Sequence, residues 1–468
     1  MGSKDWSKKK NQQEEFYPDN NSTNIEDTMK TLGINEQIKD DIISCLPDDI
    51  LSRIISFLPF DSAIRTSLLS TRWENLWKKA FLARDGTIED VVHVVTSFLN
   101  VFHQLRKSDK NWEFQFSYGE GHIVSVAVDP NNNTLHLDFS SGKPEFPTEF
   151  GIAFSLDHKI RTHEPFPYTF KAKSLHLTSL GKLSCVAASD IALNCPFLAS
   201  VTITKCNGLE IVDFALHCSS LRSLSVLDCP QLKKLFIGGD SFLWSFRFRG
   251  LLPCFNRFVF NLVIAHDAML DFRQGPGDID IKTFDFTIFR SIEYVKSLTI
   301  CRWFFETVIC RKLQISGENL LFGSLTDLWW IEYSEARYNS DALISFLKFC
   351  PRLERLYVTI DPSSYGVSGR YWYPEKVPWT LSRKNLKVVK LEGLANEEEE
   401  ILVAMKLKEL FSVEPLIIAK SSRTCLRRLV KVPNKKMKKK KEGKLPYKFK
   451  QGVENLHEVC PNHVHMDL

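Results

Sequence analysis

A six-residue pattern with apolar side chains at its first, fourth and sixth positions recurs through the middle of the chain and limits its fold more than any other feature. Five consecutive copies start 11, 12, 11 and 11 residues apart. Each copy has the alternation of a short β-strand with one buried face. The constant spacing of about 11 residues predicts a coil with two extended segments in each turn. The five copies are Leu198/Val201/Ile203, Leu209/Val212/Phe214, Leu221/Leu224/Val226, Leu232/Leu235/Ile237 and Leu243/Phe246/Phe248.

The same pattern returns later at wider spacings of 30, 28 and 33 residues. These longer repeats have room for a helix, as in SDALISFLKFCPRL ahead of the strand-like RLYVTI. The shorter period, two offsets of 11 or 12, is within the range of about 20–29 residues of leucine-rich repeats, which bury a continuous core by stacking. We therefore expect an α+β repeat solenoid. The later copies are Val295/Leu298/Ile300, Leu325/Leu328/Trp330, Leu353/Leu356/Val358 and Leu386/Val389/Leu391.

Residues 40–82 form a different unit, in which apolar residues have helical spacing. LPDD places two acidic residues at a helix start, where the helix dipole favours them. Pro59 ends this first helix, and two further helices follow within about forty residues, the last carrying Trp73 and Trp77. The unit has more apolar surface than three short helices can bury among themselves, so part of that surface is expected to contact something else.

The end of the chain has two contrasting parts. LANEEEEILVAMKLKELF is a helix with Asn396 as its cap and Glu399 three residues later. Residues 420–450 then contain 14 Lys and Arg but one acid, giving this stretch +13 in a chain whose total net charge is +5. The basic character is therefore confined to one segment, and residues 426–468 read as a disordered basic tail.

The sequence lacks the signatures of several functional classes. It contains no phosphate-binding glycine loop, nucleophile elbow or zinc-protease motif, so no catalytic residue and no cofactor are expected. Its 12 cysteines form no C-x-x-C pair and read as buried thiols of a reducing compartment. The set Cys460, His457, His463 and His465 could in principle bind a metal, but it lacks zinc-site spacing and is interpreted as part of the tail, without a metal.

Several motifs in residues 40–82 resemble those of a known family. LPDDIL, ISFLP and RTSLLSTRW..LW, in this order and spacing, are similar to an F-box. The whole stretch of about residues 40–425 resembles plant F-box proteins with leucine-rich repeats and a C-terminal FBD segment. The segments that carry this resemblance are NLKVVKLEGLANEEEEILVAMKLKELFSVEPLII and the short sequences NCPFL, DCPQL and FCPRL. The implied organisation is a disordered segment 1–39, a small three-helix F-box at 40–82, a curved leucine-rich-repeat array at 83–384, an FBD-like segment at 385–425 and the tail 426–468.

The resemblance implies that the F-box binds a Skp-type adaptor, and through it a cullin and a RING subunit of a ubiquitin ligase. The repeats would then bind an unknown target protein. Neither a membrane nor a nucleic acid is expected as a partner. The adaptor-facing residues implied by position are Leu46, Pro47, Ile50, Leu51, Ile54, Leu58, Leu68, Leu69, Trp73, Leu76 and Trp77.

Some of these residues must pack the helices together instead, and the sequence does not divide the two groups. In particular, Trp73 and Trp77 suit either role, because tryptophan fills cores and also dominates many interfaces. The segment departs from the family at Thr71 and Glu74, where basic residues are usual.

Aromatic residues are concentrated at 329–379, and the stretch after Ile360 breaks the repeat and reads as a loop. Tyr365, Tyr371, Trp372 and Tyr373 are therefore candidate target contacts, with packing against the last repeats as the alternative.

Three other functions stay open from the sequence. They are an interaction scaffold that never joins an active ligase, a nuclear nucleic-acid-binding protein acting through the run from Lys435 to Lys441, and a small-molecule receptor. The same lysine run is typical of a nuclear-import signal or of a flexible solvated end, so the expected location is the nucleus and/or the cytoplasm.

Overall fold

The computed structural model describes residues 43, 45–83, 112–118, 122–129, 134–138, 140–141, 173–180, 197–214, 220–237, 242–255, 263–279, 281, 287–316, 320–333, 339–367, 373, 385–411, 413–420, 426–432, 445–451 and 461–468. Residues 1–39, the lysine run 435–441 and the candidates Tyr371, Trp372, His457 and Cys460 lie outside these ranges. Within the described ranges, no helix combines the length and apolar character needed to cross a membrane.

Three short α-helices form the first unit, as the sequence predicts: α1 (Asp48–Ser56), α2 (Phe60–Arg65) and α3 (Leu76–Ala83). Two 3₁₀ turns, Thr66–Leu68 and Trp73–Asn75, connect α2 to α3. Leu51 and Ile55 of α1 and Trp77 of α3 are fully buried, because they lie on the faces that the helices turn towards each other. The centroid of the Phe81 ring in α3 lies 6.1 Å from that of Phe116 in the first strand, so part of the apolar surplus is covered by the sheet.

The described strands are β1 (Trp112–Tyr118), β2 (His122–Asp129), β3 (Thr134–Asp138), β4 (Ser174–Thr178), β5 (Ser200–Thr204), β6 (Ile211–Phe214), β7 (Ser223–Leu227), β8 (Lys234–Ile237), β9 (Phe242–Arg249), β10 (Cys254–Phe255), β11 (Val263–Asp271), β12 (Ser297–Cys301), β13 (Asp327–Tyr333), β14 (Arg355–Asp361), β15 (Val388–Glu392), β16 (Leu416–Lys420), β17 (Leu426–Lys431) and β18 (Tyr447–Gln451). Among these residues, one sheet has 15 strands in the order β1-β2-β3-β4-β5-β7-β9-β11-β12-β13-β14-β15-β16-β17-β18. Neighbours from β3 to β16 are parallel, and the pairs at both ends are antiparallel.

The five regular copies of the apolar pattern fall on β5 to β9 and alternate between two sheets. Strands β5, β7 and β9 are in the large sheet, whereas β6 and β8 pair with β10 in a separate parallel sheet of three strands. The apolar side chains of the pattern, such as Leu224 and Leu235, are buried. The prediction of two extended segments in each turn is therefore confirmed for these residues.

The turns that follow the regular strands share one backbone geometry. The first residue after β4, β5 and β7 has a positive φ, at Ser179, Lys205 and Asp228 (58°, 54° and 56°). Cys206 and Cys229 come next in two of these turns and are buried, and their thiols lie 3.8 and 3.9 Å from the carbonyl oxygens of the preceding repeat. The repeated turn thus connects each repeat to its neighbour through side chain to backbone contacts.

The longer repeats carry helices, as predicted. The described helices are α4 (Thr287–Ile292) before β12, α5 (Arg302–Phe304), a π-helical turn (Phe305–Ile309) and α6 (Cys310–Ser316) before β13, α7 (Asp341–Leu347) before β14, and α8 (Glu397–Leu410) before β16. The predicted cap of α8 is confirmed, because the backbone N–H of Glu399 donates to the side-chain oxygen of Asn396 at 2.9 Å.

The prediction of a disordered tail over 426–468 is wrong for the described part of that range. Strands β17 and β18 form antiparallel pairs that extend the large sheet. Leu426 and Phe449 point inwards and are buried. Arg427 pairs with Glu400 of α8 at 2.8 Å. The composition was misleading because apolar residues are interspersed among the basic ones in both strands, and Arg427 lies next to two acids of α8, which reduces the repulsion expected from net charge.

Candidate interaction surfaces

The first helix presents an apolar stripe that nothing among the described residues covers. Ile50, Ile54 and Phe57 follow one another at i, i+4 and i+7, so they lie on one side of α1 and its C-terminal cap. Their exposed fractions are 45%, 44% and 79%. Leu51 and Ile55 occupy the neighbouring side and are fully buried. Helix α1 therefore has one apolar side packed in its own core and a second apolar side that remains accessible.

The structure divides the adaptor-facing residues that the family resemblance implies. Leu51, Trp73, Leu76 and Trp77 are buried and pack the helical unit, so for them the assignment as contact residues needs correction: they hold the unit together. Leu46 and Leu58 are partly buried against the same core. The side chain of Leu68 is not described. The residues that remain accessible are Pro47, Ile50, Ile54 and Leu69.

An ion pair fixes the start of α1 relative to the later part of the helical unit. The Arg72 guanidinium lies 2.9 Å from the Asp48 carboxylate and also donates to the carbonyl oxygen of Leu46. Because both partners are about 40–50% exposed, the ion pair itself adds little to stability. Its role is to position Leu46 and Pro47 beside the exposed stripe.

A groove of about 630 Å³ lies between α1 and α3. Asp49, Arg53 and Phe57 of the α1 segment and Lys79 of α3 are among its lining residues. Phe57 belongs to the groove wall and also to the apolar stripe. The two features are therefore continuous, and together they form a surface with an apolar centre and a charged rim, which is the usual layout of a protein interface.

Three exposed apolar residues of the helical unit are missing from the sequence prediction: Ile43, Phe57 and Leu82. Phe57 could have been found, since it continues the helical spacing of Ile50 and Ile54. Ile43 and Leu82 carry no such signal, because their exposure depends on how the ends of the unit pack.

The four candidate target contacts do not form one surface in the described residues. Tyr365 is 40% exposed, but its ring packs edge-on against Trp303 with centroids 5.4 Å apart. Its backbone N–H also donates to the carbonyl oxygen of Arg273 at 2.7 Å. Tyr371 and Trp372 are outside the described ranges. These contacts agree with the alternative in which the loop packs against the repeats.

Tyr373 belongs to an internal network of charged groups. Its hydroxyl donates to Glu306 at 2.6 Å, and Arg302 donates to Glu306 at 3.0 Å and to Glu332 at 3.2 Å. Burial raises the pKa of Glu332 to about 7 against the opposing charge of Arg302. Burial, together with the bond to Glu306, also raises the pKa of Tyr373. The network ties the π-helical turn to β13 and offers no open site.

Two histidines of the supposed tail, His463 and His465, are in the interior. His463 and His465 are 2% and 0% exposed and lie against the large sheet. Across the described part of the chain, no group of three or more His, Cys, Asp and Glu side chains could hold a metal. The burial of His463 and His465 is instead explained by their contacts with residues of β11 to β14.

Comparison with known proteins agrees with this geometry. The F-box domain family model matches residues 43–83, which is the three-helix unit. F-box/LRR-repeat protein 25 of Arabidopsis thaliana is 30% identical over 181 residues, covering 36% of this chain and 70% of the relative. A second Arabidopsis relative of the F-box/LRR-repeat class is 31% identical over 186 residues, covering 37% of this chain and 39% of the relative. An Arabidopsis F-box/FBD/LRR-repeat protein is 49% identical over 49 residues, or 10% of this chain and 11% of the relative.

The helical unit and the large, mostly parallel sheet of the described residues thus define an F-box protein of mixed α and β structure. The chain belongs to the F-box/LRR-repeat proteins of plants, the group that includes the FBD class. Because it spans 70% of the first relative but 39% of the second, the matches establish the family and not what the complete chain binds.

Proposed function

We propose that this chain is the substrate-recognition subunit of a Skp-cullin-F-box ubiquitin ligase. The helical unit binds a Skp-type adaptor, which joins it to a cullin and a RING subunit, and the repeats hold a target protein. The chain performs no chemistry of its own in this role; it raises the local concentration of target near the ubiquitin donor. The match of an F-box model to residues 43–83 supports this function. We propose the nucleus and/or the cytoplasm as its location.

The observation that carries the adaptor contact is the exposed stripe of Ile50, Ile54 and Phe57. A helix that keeps a second apolar side accessible is suited to a partner groove that removes that side from water. Pro47 and Leu69 are exposed as well, and we include them in the contact surface. Trp73 and Trp77 act indirectly, because they hold the helices that carry the stripe.

We further propose that the stacked repeats form a curved leucine-rich-repeat array, followed by an FBD segment at 385–425. The support for the array is the parallel pairing of neighbouring strands from β3 to β16, together with the second sheet formed by β6, β8 and β10. Such arrays bind proteins on their extended sheet surface.

Adaptor capture by the full-length chain tests the first contact. We expect Ile54→Ser and Phe57→Ser, alone and combined, to weaken binding of a purified Skp-type adaptor by about tenfold or more, as expected for central apolar contacts. Ile315→Ser is the matched control, because Ile315 is an apolar residue in α6 with 71% exposure and lies outside the proposed surface. Equal binding by the stripe variants and the control would refute the assignment of the stripe.

Ubiquitin transfer tests the second part of the proposal. A reconstituted mixture of the chain, adaptor, cullin and RING subunit should transfer ubiquitin to the chain or to a bound protein, and Phe57→Ser should reduce this transfer at adaptor concentrations that do not saturate the variant. Adaptor binding without cullin recruitment would instead identify a scaffold outside the ligase.

A further inference from the structure

A row of side chains on the large sheet is buried although it points away from the repeat core. Thr299, Trp329, Tyr357 and Lys390 are paired partners in adjacent strands β12 to β15. Each one stands between two core-facing residues of its strand, so it projects from the opposite face of the sheet. Their exposed fractions of 0%, 7%, 2% and 2% require that something covers this face.

The cover is residues 461–468, which we call the strap. The Nε2 atom of His465 is 3.1 Å from the carboxylate of Asp267 in β11, and its Nδ1 atom is 2.7 Å from the hydroxyl of Thr299 in β12. Because an ionised carboxylate only accepts and a hydroxyl can donate, a neutral imidazole protonated on Nε2 satisfies both contacts.

Groups of the sheet itself also hold the Asp267 carboxylate. Arg247 and Ser245 of β9 also bind the Asp267 carboxylate, at 2.7 and 3.0 Å. Burial alone would raise the pKa of Asp267, but bonds from His465 and Ser245 and the charge of Arg247 outweigh it and lower the pKa to about 2. Two of the groups that bind Asp267, Arg247 and Ser245, therefore belong to the sheet and not to the strap.

The second histidine of the strap occupies an aromatic site. The His463 ring lies 5.3 Å from the Tyr357 ring and 6.1 Å from the Trp329 ring, centroid to centroid. It also packs against His465 at 4.9 Å. Two side chains spaced i and i+2 thus contact neighbouring positions of one sheet face. The strap backbone turns here, and the N–H of Met466 donates to the carbonyl oxygen of His463 at 2.9 Å.

Both ends of the strap are held by polar groups of the sheet. The Tyr357 hydroxyl donates to the carbonyl oxygen of Pro461 at 3.1 Å, and the Lys390 amine donates to the side-chain oxygen of Asn462 at 2.6 Å. Arg249 of β9 donates to the backbone oxygen of Leu468 at 2.9 Å. The strap therefore crosses the sheet from β15 to β9.

The chemistry of the covered face distinguishes the strap from a core element. Ser245, Asp267, Thr299 and Lys390 are polar groups that water can also satisfy, so exposing them costs less than exposing an apolar core. The covered face also carries the aromatic residues Trp329 and Tyr357, and Met466 of the strap is partly buried against the apolar core. Release of the strap would leave a hydrated, preformed surface with hydrogen-bonding groups at fixed positions.

We propose that this face of the sheet, from β9 to β15, is a peptide-binding site, and that the strap occupies it as a built-in competitor. The ligand that fits is a short turn-forming segment with two histidines at i and i+2, preceded by a residue with a side-chain amide. The site binds the segment of a target protein only after the strap is displaced. The identity of the occupant as a target rests on the proposed function, whereas the peptide site itself does not.

The test uses the full chain and a labelled synthetic peptide of residues 461–468, PNHVHMDL, with fluorescence anisotropy as the readout. In the wild-type chain the tethered strap has an effective concentration on the order of millimolar, so micromolar peptide should not bind measurably. The variant carrying both His463→Ala and His465→Ala should bind the peptide, because its own strap no longer fills the site.

Two matched changes establish specificity. Adding Thr299→Val to the double variant removes the hydroxyl that contacts Nδ1 at nearly constant volume, and it should weaken peptide binding by about three- to tenfold. A probe peptide carrying His465→Ala should bind at least about tenfold more weakly than the unaltered peptide, since it loses contacts to both Asp267 and Thr299.

Two outcomes would overturn the proposal: a folded double variant that does not bind the peptide, or equal binding of the unaltered and the His465→Ala peptides. If the double variant does not fold, hydrogen exchange of the wild-type chain decides instead. The proposal expects the amides of 462–468 to exchange through local detachment, faster than those of β12 and β13; exchange only through global unfolding contradicts it. Failure of adaptor capture would remove the proposed ligase role and leave the peptide result unaffected.

Discussion

Trp77→Ala tests the division of the F-box residues into core and contact positions. Trp77 is fully buried, and its ring packs edge-on against Phe81 with centroids 6.5 Å apart. Removing a buried tryptophan side chain costs about 3–5 kcal/mol, from lost transfer free energy and from the cavity that is left. Ile54→Ala is the matched comparison, because Ile54 is 44% exposed and such surface changes cost about 0.5 kcal/mol or less.

The assay must resolve local stability, because a chain of 468 residues need not unfold in one step. Hydrogen exchange of the amides in residues 45–83 measures the opening of the helical unit directly. A loss of 3–5 kcal/mol corresponds to a fall in protection of about two to three orders of magnitude or more, up to complete loss of protection if the unit is less stable than that.

The two variants should therefore separate stability from binding. Trp77→Ala should lower protection in α1 and α3 and weaken adaptor capture only as a consequence. Ile54→Ala should leave protection nearly unchanged and weaken capture directly. Equal protection in the two variants would refute the assignment of Trp77 to the core, and an equal loss of protection in β12 to β15 would refute the local nature of the effect.

Three further predictions concern the sheet region. Gly393→Ala should destabilise the chain by about 2 kcal/mol or more, because its φ is +85° and an added Cβ would lie 2.3 Å from a backbone oxygen of β14. The control is Gly323→Ala, which should leave the thermal midpoint nearly unchanged because an added Cβ meets nothing within 4 Å. Asn396→Ala should cost about 1 kcal/mol, seen as faster exchange in the first turn of α8. Burial lowers the pKa of His463 and of His465, so protonation favours release of the strap, and protection factors of 461–468 should fall from about pH 7.5 to about pH 5.5; equal values at both pH values would contradict this reasoning.

The repeat register was predictable because each copy of the pattern is local in sequence. Three apolar positions in six residues determine which side of a strand is buried. Strands that start 11 residues apart are too close in the chain for the crossover connection that parallel neighbours in one sheet require. The alternation of β5 to β9 between two sheets follows from these two facts. The cap at Asn396 was predictable for the same reason, since its partner Glu399 is three residues away.

The parts that the sequence did not predict depend on contacts between distant residues. Strand β17 carries Arg427 among basic neighbours, and the acid that compensates it, Glu400, lies on a helix 27 residues earlier. The partner of His465 is 198 residues away, at Asp267. Local composition therefore indicated a disordered tail, whereas the sheet edge and the polar sheet face supply long-range partners for the described residues.

In the F-box, the sequence pattern does not predict which apolar side of α1 is buried. Helical spacing identifies all apolar positions of α1, but the two apolar sides at Leu51 and at Ile54 differ only in what packs against them. The position of α3, together with Trp77, decides which side is internal. A three-helix unit can be predicted from its sequence, but the surface that it leaves for a partner requires the packing of all three helices.

Once the strand register is known, the sequence identifies the residues on the covered face of the sheet. In the four longer repeats, the residue between the last two apolar positions of the pattern is Thr299, Trp329, Tyr357 or Lys390. Parallel in-register pairing brings these four into one row across adjacent strands. The apolar positions determine the fold, and the residues between them determine the chemistry of the face. Changes in this row should therefore alter which peptide the face prefers while leaving the stacking of the repeats intact.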